Sequence, residues 1–289
     1  MTIMTDVQNQ HLNGSFKLTR VGVRDVRKPV RVSRPGKEVT LTVTFDLFVD
    51  LPAELKGSHM SRNLEVLSRV IDDAVRGEVT GLEDLGVRIC RELLTRHEYA
   101  SRSEVMLSAD YFLERGMGNG TTSLERYMLK ASANSIRGGK TKKSIGVEVT
   151  GMTACPCAME EVRKIRGVSA DNTLASITHN QRNITSVNME VPVESELEAD
   201  KLINIIERCL SSPTYEILKR ADEARVVMDA HSNPKFVEDV VRSVLGEILK
   251  EFNDLPDDVR VSVKSESFES IHKHNAYAER DTTMGELRE

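Results

Sequence analysis

A chain of 289 residues is long enough for one large core or two medium ones, and its formal charge of −5 comes from interspersed acids and bases. That balance gives no electrostatic footprint for nucleic acid or for a membrane surface, and the absence of tryptophan removes the best stacking platforms for single strands. The N-terminus, MTIMTDVQNQHLNG, lacks an apolar signal core, and no apolar run is long enough to span a bilayer. Four scattered cysteines (Cys90, Cys155, Cys157, Cys209) follow no disulfide framework, so a reducing, cytoplasmic setting is expected.

The pattern from Phe16 to Ser33 predicts a strand with Val21, Val23, Val26 and Val30 as its apolar positions, and a turn at Pro35-Gly36. Glu38 to Val49 is the clearest strand, β-branched or aromatic at nearly every second position. A polar loop, LPAELKGSHMSR, leads to helical stripes over Asn63–Val75 and Leu82–Leu94. Tyr99–Leu113 and Lys143–Val149 read as strands. The Gly-rich segment Gly116–Gly139 between them reads as a surface connector, since no P-loop or dinucleotide pattern surrounds it.

The order then recurs. Ile184–Val193 alternates as a strand, Glu198–Leu210 and Pro234–Phe252 are amphipathic helices, and Val259–Phe268 is a closing strand. Ser211–Asn233 reads as a long polar connection of the kind that carries function or motion. Cys90 and Cys209 fall within helical patterns and are expected in the core.

The chemistry concentrates between Thr150 and Arg182, where TGMTACPCAME is followed by THNQR. Thiolate and imidazole suit borderline-soft metals such as zinc and ferrous iron, but CPC lacks the two-residue gap of a zinc finger. Pro156 would strain a disulfide between Cys155 and Cys157. One of these cysteines is therefore expected to point into a site, with His179 near it and the other in a supporting role. Elsewhere, Glu223 in KRADE reads as a solvated helix residue and Glu238 in NPKFVED as an ordinary first-turn acid. His272 and His274 would face one way on a strand, as an acid/base or metal pair or as an exposed strand end. His59 and Arg62 in KGSHMSR, with Gln181 and Arg182, offer donors for an anion.

Taken in order, VTGMTACPCAME, THNQR, SSPTYEILKRADE, NPKFVED and SFESIHKHNAYAE, with RVGVRDVRKPV and KGSHMSR before them, resemble the type IB GTP cyclohydrolase family. The wording GMTACPCA and the lengthened connector before HNQR look most like the archaeal methanopterin-pathway members. The resemblance implies an α+β architecture of tandem tunnelling folds, each an antiparallel sheet backed by two helices. It divides the chain into an N-terminal arm over 1–15, disordered or facing a partner, a first half over 16–140 and a second half over 141–289 carrying most of the metal site. It implies a homo-oligomer, a tetramer, with active sites at subunit interfaces.

The resemblance also assigns roles. Cys155, His179 and Glu223 match the metal ligands, Glu238 the glutamate that holds the guanine edge, and His272 the catalytic histidine. Arg182, Gln181, Arg62 and His59 are expected to bind substrate, with Cys157 and His274 as auxiliaries. One divalent ion is expected per site, ferrous iron first, with zinc or manganese as alternatives. GTP is the expected substrate, and the product is a dihydroneopterin 2',3'-cyclic phosphate in the archaeal-like subtype or the triphosphate in the bacterial-like one. Two other classes compete: a tunnelling-fold enzyme with Cys155 as nucleophile, such as a nitrile reductase, and a protein whose metal site is only structural.

Overall fold

The computed structural model describes residues 8, 10–11, 16–34, 37–76, 81–116, 122–168 and 176–289. The expected turn at Pro35-Gly36 lies outside them. Of the N-terminal arm, Gln8, Gln10 and His11 are described, and backbone bonds join them to the stretch Leu55–Gly57. The chain forms two compact units, and strands pass from one to the other.

Unit 1 takes Met1–Asp110, Lys130–Ile145 and Glu190–Ser195. It holds β1 (Leu18–Arg34), β2 (Lys37–Leu51), α1 (Met60–Arg76), α2 (Leu82–Arg96), most of β3 (Arg102–Gly116), the second half of β4 (Thr122–Ile136) and the start of β5 (Thr141–Ala154). β1 and β3 flank β2, both antiparallel to it. Alternation puts Val43, Phe45, Leu47 and Val49 inward on β2, all within 1% of full burial. α1 and α2 close this face with Val66, Leu67, Leu85, Ile89 and Leu93. Asp25 sits at φ 55° where the β1–β2 register shifts, a bulge that bends the edge strand.

Unit 2 takes Tyr111–Leu129, Gly146–Met189 and Glu196–Glu289. After β5 come α3 (Pro156–Ile165), β6 (Asn180–Val191), α4 (Ala199–Cys209), β7 (Ser212–Pro213), α5 (Arg220–Ser232), α6 (Val237–Glu251), β8 (Arg260–Ser267), β9 (Ala276–Thr283) and α7 (Met284–Arg288). Strands run in the hydrogen-bonded order β5-β6-β8-β9, with β7 paired to β5. α4 packs on α6, and α6 on β8, through Leu202, Ile205, Ile206, Val240, Val244, Ile248, Val261 and Val263. β5 and β6 approach closely at Gly146, where a Cβ would stand 2.8 Å from the Val187 carbonyl oxygen.

The α+β class expected from the sequence is the one observed. Three local expectations are overturned. Residues 122–136 form a regular strand instead of a connector, with Ser123, Glu125, Tyr127, Leu129, Ala131, Ala133 and Ser135 turned inward. That inward set is too polar and too small to register as a hydrophobic period. Residues 220–232 form α5 inside what reads as a polar connection, because its buried stripe is only Asp222, Val226 and Ala230. His272 and His274 lie in the connector between β8 and β9, not on a strand. Cys90 and Cys209 are buried as expected, and all four cysteines are free. Among the described residues no helix is long and apolar enough to cross a membrane.

Candidate active site

β5 ends at Ala154, and Cys155 becomes the N-cap of α3, with Pro156 in the first helical position where its missing N–H costs nothing. The Cys155 thiol sulfur accepts a hydrogen bond from the Ala158 amide at 3.4 Å. The main chain of Cys155 is clamped from the other side by the segment entering β6. Its N–H donates to the His179 carbonyl at 3.0 Å, and the Thr178 hydroxyl donates to its carbonyl at 2.6 Å. Residues far apart in the sequence, CPC and HNQR, therefore meet through backbone geometry. Cys155 is half-buried and Cys157 exposed.

The His179 ring, 10% exposed, points its Nδ1 at two oxygens: Gln181 Oε1 at 2.9 Å and Glu269 Oε2 at 3.5 Å. The His272 ring stands edge-on to it with centroids 6.2 Å apart, and His274 stacks on His272 at 5.0 Å and 14°. The imidazoles of His179, His272 and His274 thus form one array.

Two helices are tied to these strands. The Lys235 amide donates to the Ala154 carbonyl at 3.0 Å, which anchors the entry to α6 beside Cys155. Glu238 is exposed in the first turn of α6, where the helix dipole favours a carboxylate. α5 meets β6 through its far end, by a 3.0 Å contact between His231 Nε2 and Asn180 Nδ2. Glu223 lies eight residues earlier in α5, about 12 Å along the helix axis at 1.5 Å per residue, and is exposed. Arg182 is exposed on β6, and its carbonyl accepts from the Phe268 amide at 2.9 Å.

In unit 1, His59 and Arg62 flank the start of α1, with Arg62 donating to the Arg96 carbonyl at 3.3 Å. Behind them His97, fully buried, bonds Asn63 Oδ1 at 2.7 Å and the Tyr99 hydroxyl at 2.9 Å. Burial, reinforced by the nearby charges of Arg62 and His59, pulls the His97 pKa down to about 4.

The donor chemistry of Cys155 and His179 fits a borderline-soft divalent ion, one thiol and one imidazole on adjoining strand ends. A third donor is not gathered beside them: among the described residues, no group of three or more His, Cys, Asp or Glu side chains is placed to hold a metal ion. Among the described residues, Glu269, a residue with no role in the expectations above, brings a carboxylate to 3.5 Å from His179 Nδ1. Its only signal was its place in the SFES motif. Gln181, expected to face a ligand, is 7% exposed with both ends of its amide hydrogen-bonded inside the protein.

The architecture matches the uricase of Arthrobacter globiformis over 95% of this chain and 96% of that one, with a TM-score of 0.57 and 7% identity. The fold is thus the α+β tunnelling fold. The profile of the type I GTP cyclohydrolase folE2 family matches residues 4–278. "GTP cyclohydrolase MptA 2" of Methanocella arvoryzae is 44% identical, with 99% of this chain and 98% of that protein covered. "GTP cyclohydrolase MptA" of Methanococcus aeolicus is 42% identical, with 98% of each covered. The chain belongs to the type I GTP cyclohydrolase folE2 family.

Proposed function

We propose that this chain is a GTP cyclohydrolase of the archaeal type, which opens the imidazole ring of guanine at C8, releases that carbon as formate and recloses the ribose carbons into a dihydroneopterin 2',3'-cyclic phosphate, diphosphate leaving as the neighbouring hydroxyl closes on the α-phosphate. The observation that carries the reading is the junction of Cys155 with His179, whose ring stands edge-on to that of His272, in a chain 44% identical to a protein named GTP cyclohydrolase MptA 2. Cys155 and His179 would hold a divalent ion, ferrous iron first, with zinc and manganese as alternatives. By its family motif Glu223 would be the third ligand, although the described residues do not gather it beside the other two. When bound, such an ion lowers the pKa of water enough to make it nucleophilic near neutrality.

The chain's own residues supply the rest. Glu238, exposed at a helix start, accepts two hydrogen bonds from guanine N1–H and the 2-amino group, a pairing adenine cannot offer. His272, edge-on to His179, delivers a proton to the ring nitrogen as the C8 bond breaks, and His274 stacks behind it. Arg182 binds the triphosphate by charge. His59 and Arg62, at the start of α1, are a separate set of donors for an anion, to which the α1 dipole adds. Exposed Cys157 is an auxiliary beside Cys155. The working form is a homo-oligomer, a tetramer, with active sites at subunit interfaces.

The test is His272→Ala. It is expected to keep its fold and metal content while turnover falls about 10²–10⁴-fold, the usual worth of a general acid. Undiminished turnover in the metal-loaded variant would remove His272 from the chemistry.

A further inference from the structure

The interior of a sheet is ordinarily apolar, yet beneath His179 it is not. On β6 the inward positions Gln181, Asn183 and Thr185 are polar, and Thr153 of β5 and Ser265 and Ser267 of β8 face them. All six are buried, from 0 to 7% exposed. They form one hydrogen-bonded ladder. Thr185 donates to Asn183 Oδ1 at 2.7 Å, and Asn183 Nδ2 donates to the Ser265 and Ser267 hydroxyls at 2.9 Å each. Ser267 meets the Thr153 hydroxyl at 2.7 Å, and Gln181 Nε2 donates to Thr153 Oγ1 at 3.1 Å.

The top rung has a direction. Gln181 Nε2 also lies 3.3 Å from Glu269 Oε1, and an ionised carboxylate only accepts. The amide must therefore turn its NH₂ toward Glu269 and Thr153, which leaves Oε1 facing His179. Both oxygens near His179 Nδ1, that of Gln181 at 2.9 Å and that of Glu269 at 3.5 Å, are then acceptors. In the neutral ring the proton has to sit on Nδ1, and the lone pair is left on Nε2.

We propose that Gln181 is a positioning residue: braced by Thr153 and Glu269, it fixes the tautomer and plane of the His179 ring so that Nε2 presents its lone pair to the metal, and it does not touch the nucleotide. This rests on the metal reading given above. Partners of this kind orient a ligating imidazole, and their loss typically costs 10–100-fold in metal affinity.

The experiment has two readouts. The first is the nitrogen NMR of the histidine rings in the metal-free protein. Wild-type His179 is expected as the Nδ1–H tautomer, and Gln181→Met is expected to mix in the Nε2–H form. The second is titration with manganese and with zinc. Affinity is expected to drop about 10–100-fold in Gln181→Met and less in Thr153→Val, with Thr153→Ser at the wild-type value. At saturating metal, KM for GTP should be unchanged in Gln181→Met. An Nε2–H tautomer in the wild type overturns the proposal even if no variant folds. So does a raised KM with unchanged metal affinity, which would make Gln181 a substrate contact. Wild-type protein that binds no divalent ion, or that binds it equally well after Cys155→Ala or His179→Ala, overturns the metal reading instead. The tautomer measured in the metal-free chain then still decides the part played by Gln181.

Discussion

Acidification should weaken the fold through one residue, His97. Its ring is fully buried between Asn63 and Tyr99, beside Arg62 and His59, and its pKa falls from 6.5 to about 4. A histidine whose folded pKa is depressed takes up its proton first in the unfolded chain. Stability is therefore complete above about pH 6.5 and is lost as pH falls toward 4. By linkage, at pH 4.5 the folded state has lost about 2.5 kcal/mol relative to pH 7.5 from this group alone. With an m-value of about 3 kcal/mol/M, that moves the urea midpoint by a little under ~1 M. The chain has no tryptophan, so the transition is best followed by far-UV circular dichroism. Other groups titrate in the same range, so the comparison is with His97→Gln, which keeps polar contacts but cannot take the proton. The variant is expected to start lower and to lose about 2.5 kcal/mol less between the two pH values. Parallel pH profiles for the two proteins would refute the reasoning.

Asp50 should show a similar dependence at lower pH. Burial alone would raise its pKa, but hydrogen bonds from Lys17, the Ser101 hydroxyl and the amides of Arg102 and Ser101 outweigh it and bring the value down to about 2. That contribution, about 2 kcal/mol, is present above pH 4 and fades as pH falls toward 2, so Asp50→Asn should cost most at neutral pH and little at pH 2.5 in urea titrations. Thiol labelling of the native protein, read by peptide mass, should reach Cys157 and Cys155 first. Cys90 and Cys209, whose thiols burial pushes up to about 12 and about 11, should label only on unfolding. Rapid labelling of Cys90 in the native state would contradict the packing of α2.

The parts of the fold that were legible in the sequence are those whose buried faces are apolar. β2 announces itself through Val43, Phe45, Leu47 and Val49, and α4 and α6 through stripes that the structure buries almost completely. β4 was illegible because its inward face is mostly Ser, Glu, Tyr and Ala, and β9 because Thr282 alone of its residues is buried. At the site, residue types were enough to mark the Cys155–Cys157 pair with His179 and the His272–His274 pair, since thiol and imidazole are rare and chemically distinctive, and the family resemblance chose Cys155 and His272 within them. The ladder from Thr185 to Gln181 was not readable. A polar residue at every second strand position looks like a solvent face until β5, β6 and β8 are placed side by side. Glu269 escaped for the same reason, because only the pairing across strands brings it to His179.

The central claim is that Cys155 and His179 serve a metal-dependent opening of guanine. The most direct measurement is anaerobic turnover of GTP by chelator-stripped protein, with ferrous iron, manganese or zinc added back singly and products identified by mass. Cys155→Ala and His179→Ala are run alongside. Formate and a dihydroneopterin cyclic phosphate are expected with ferrous iron, and neither product from the two variants. Absence of formate and of any pterin with every metal, or full turnover by Cys155→Ala, would contradict it.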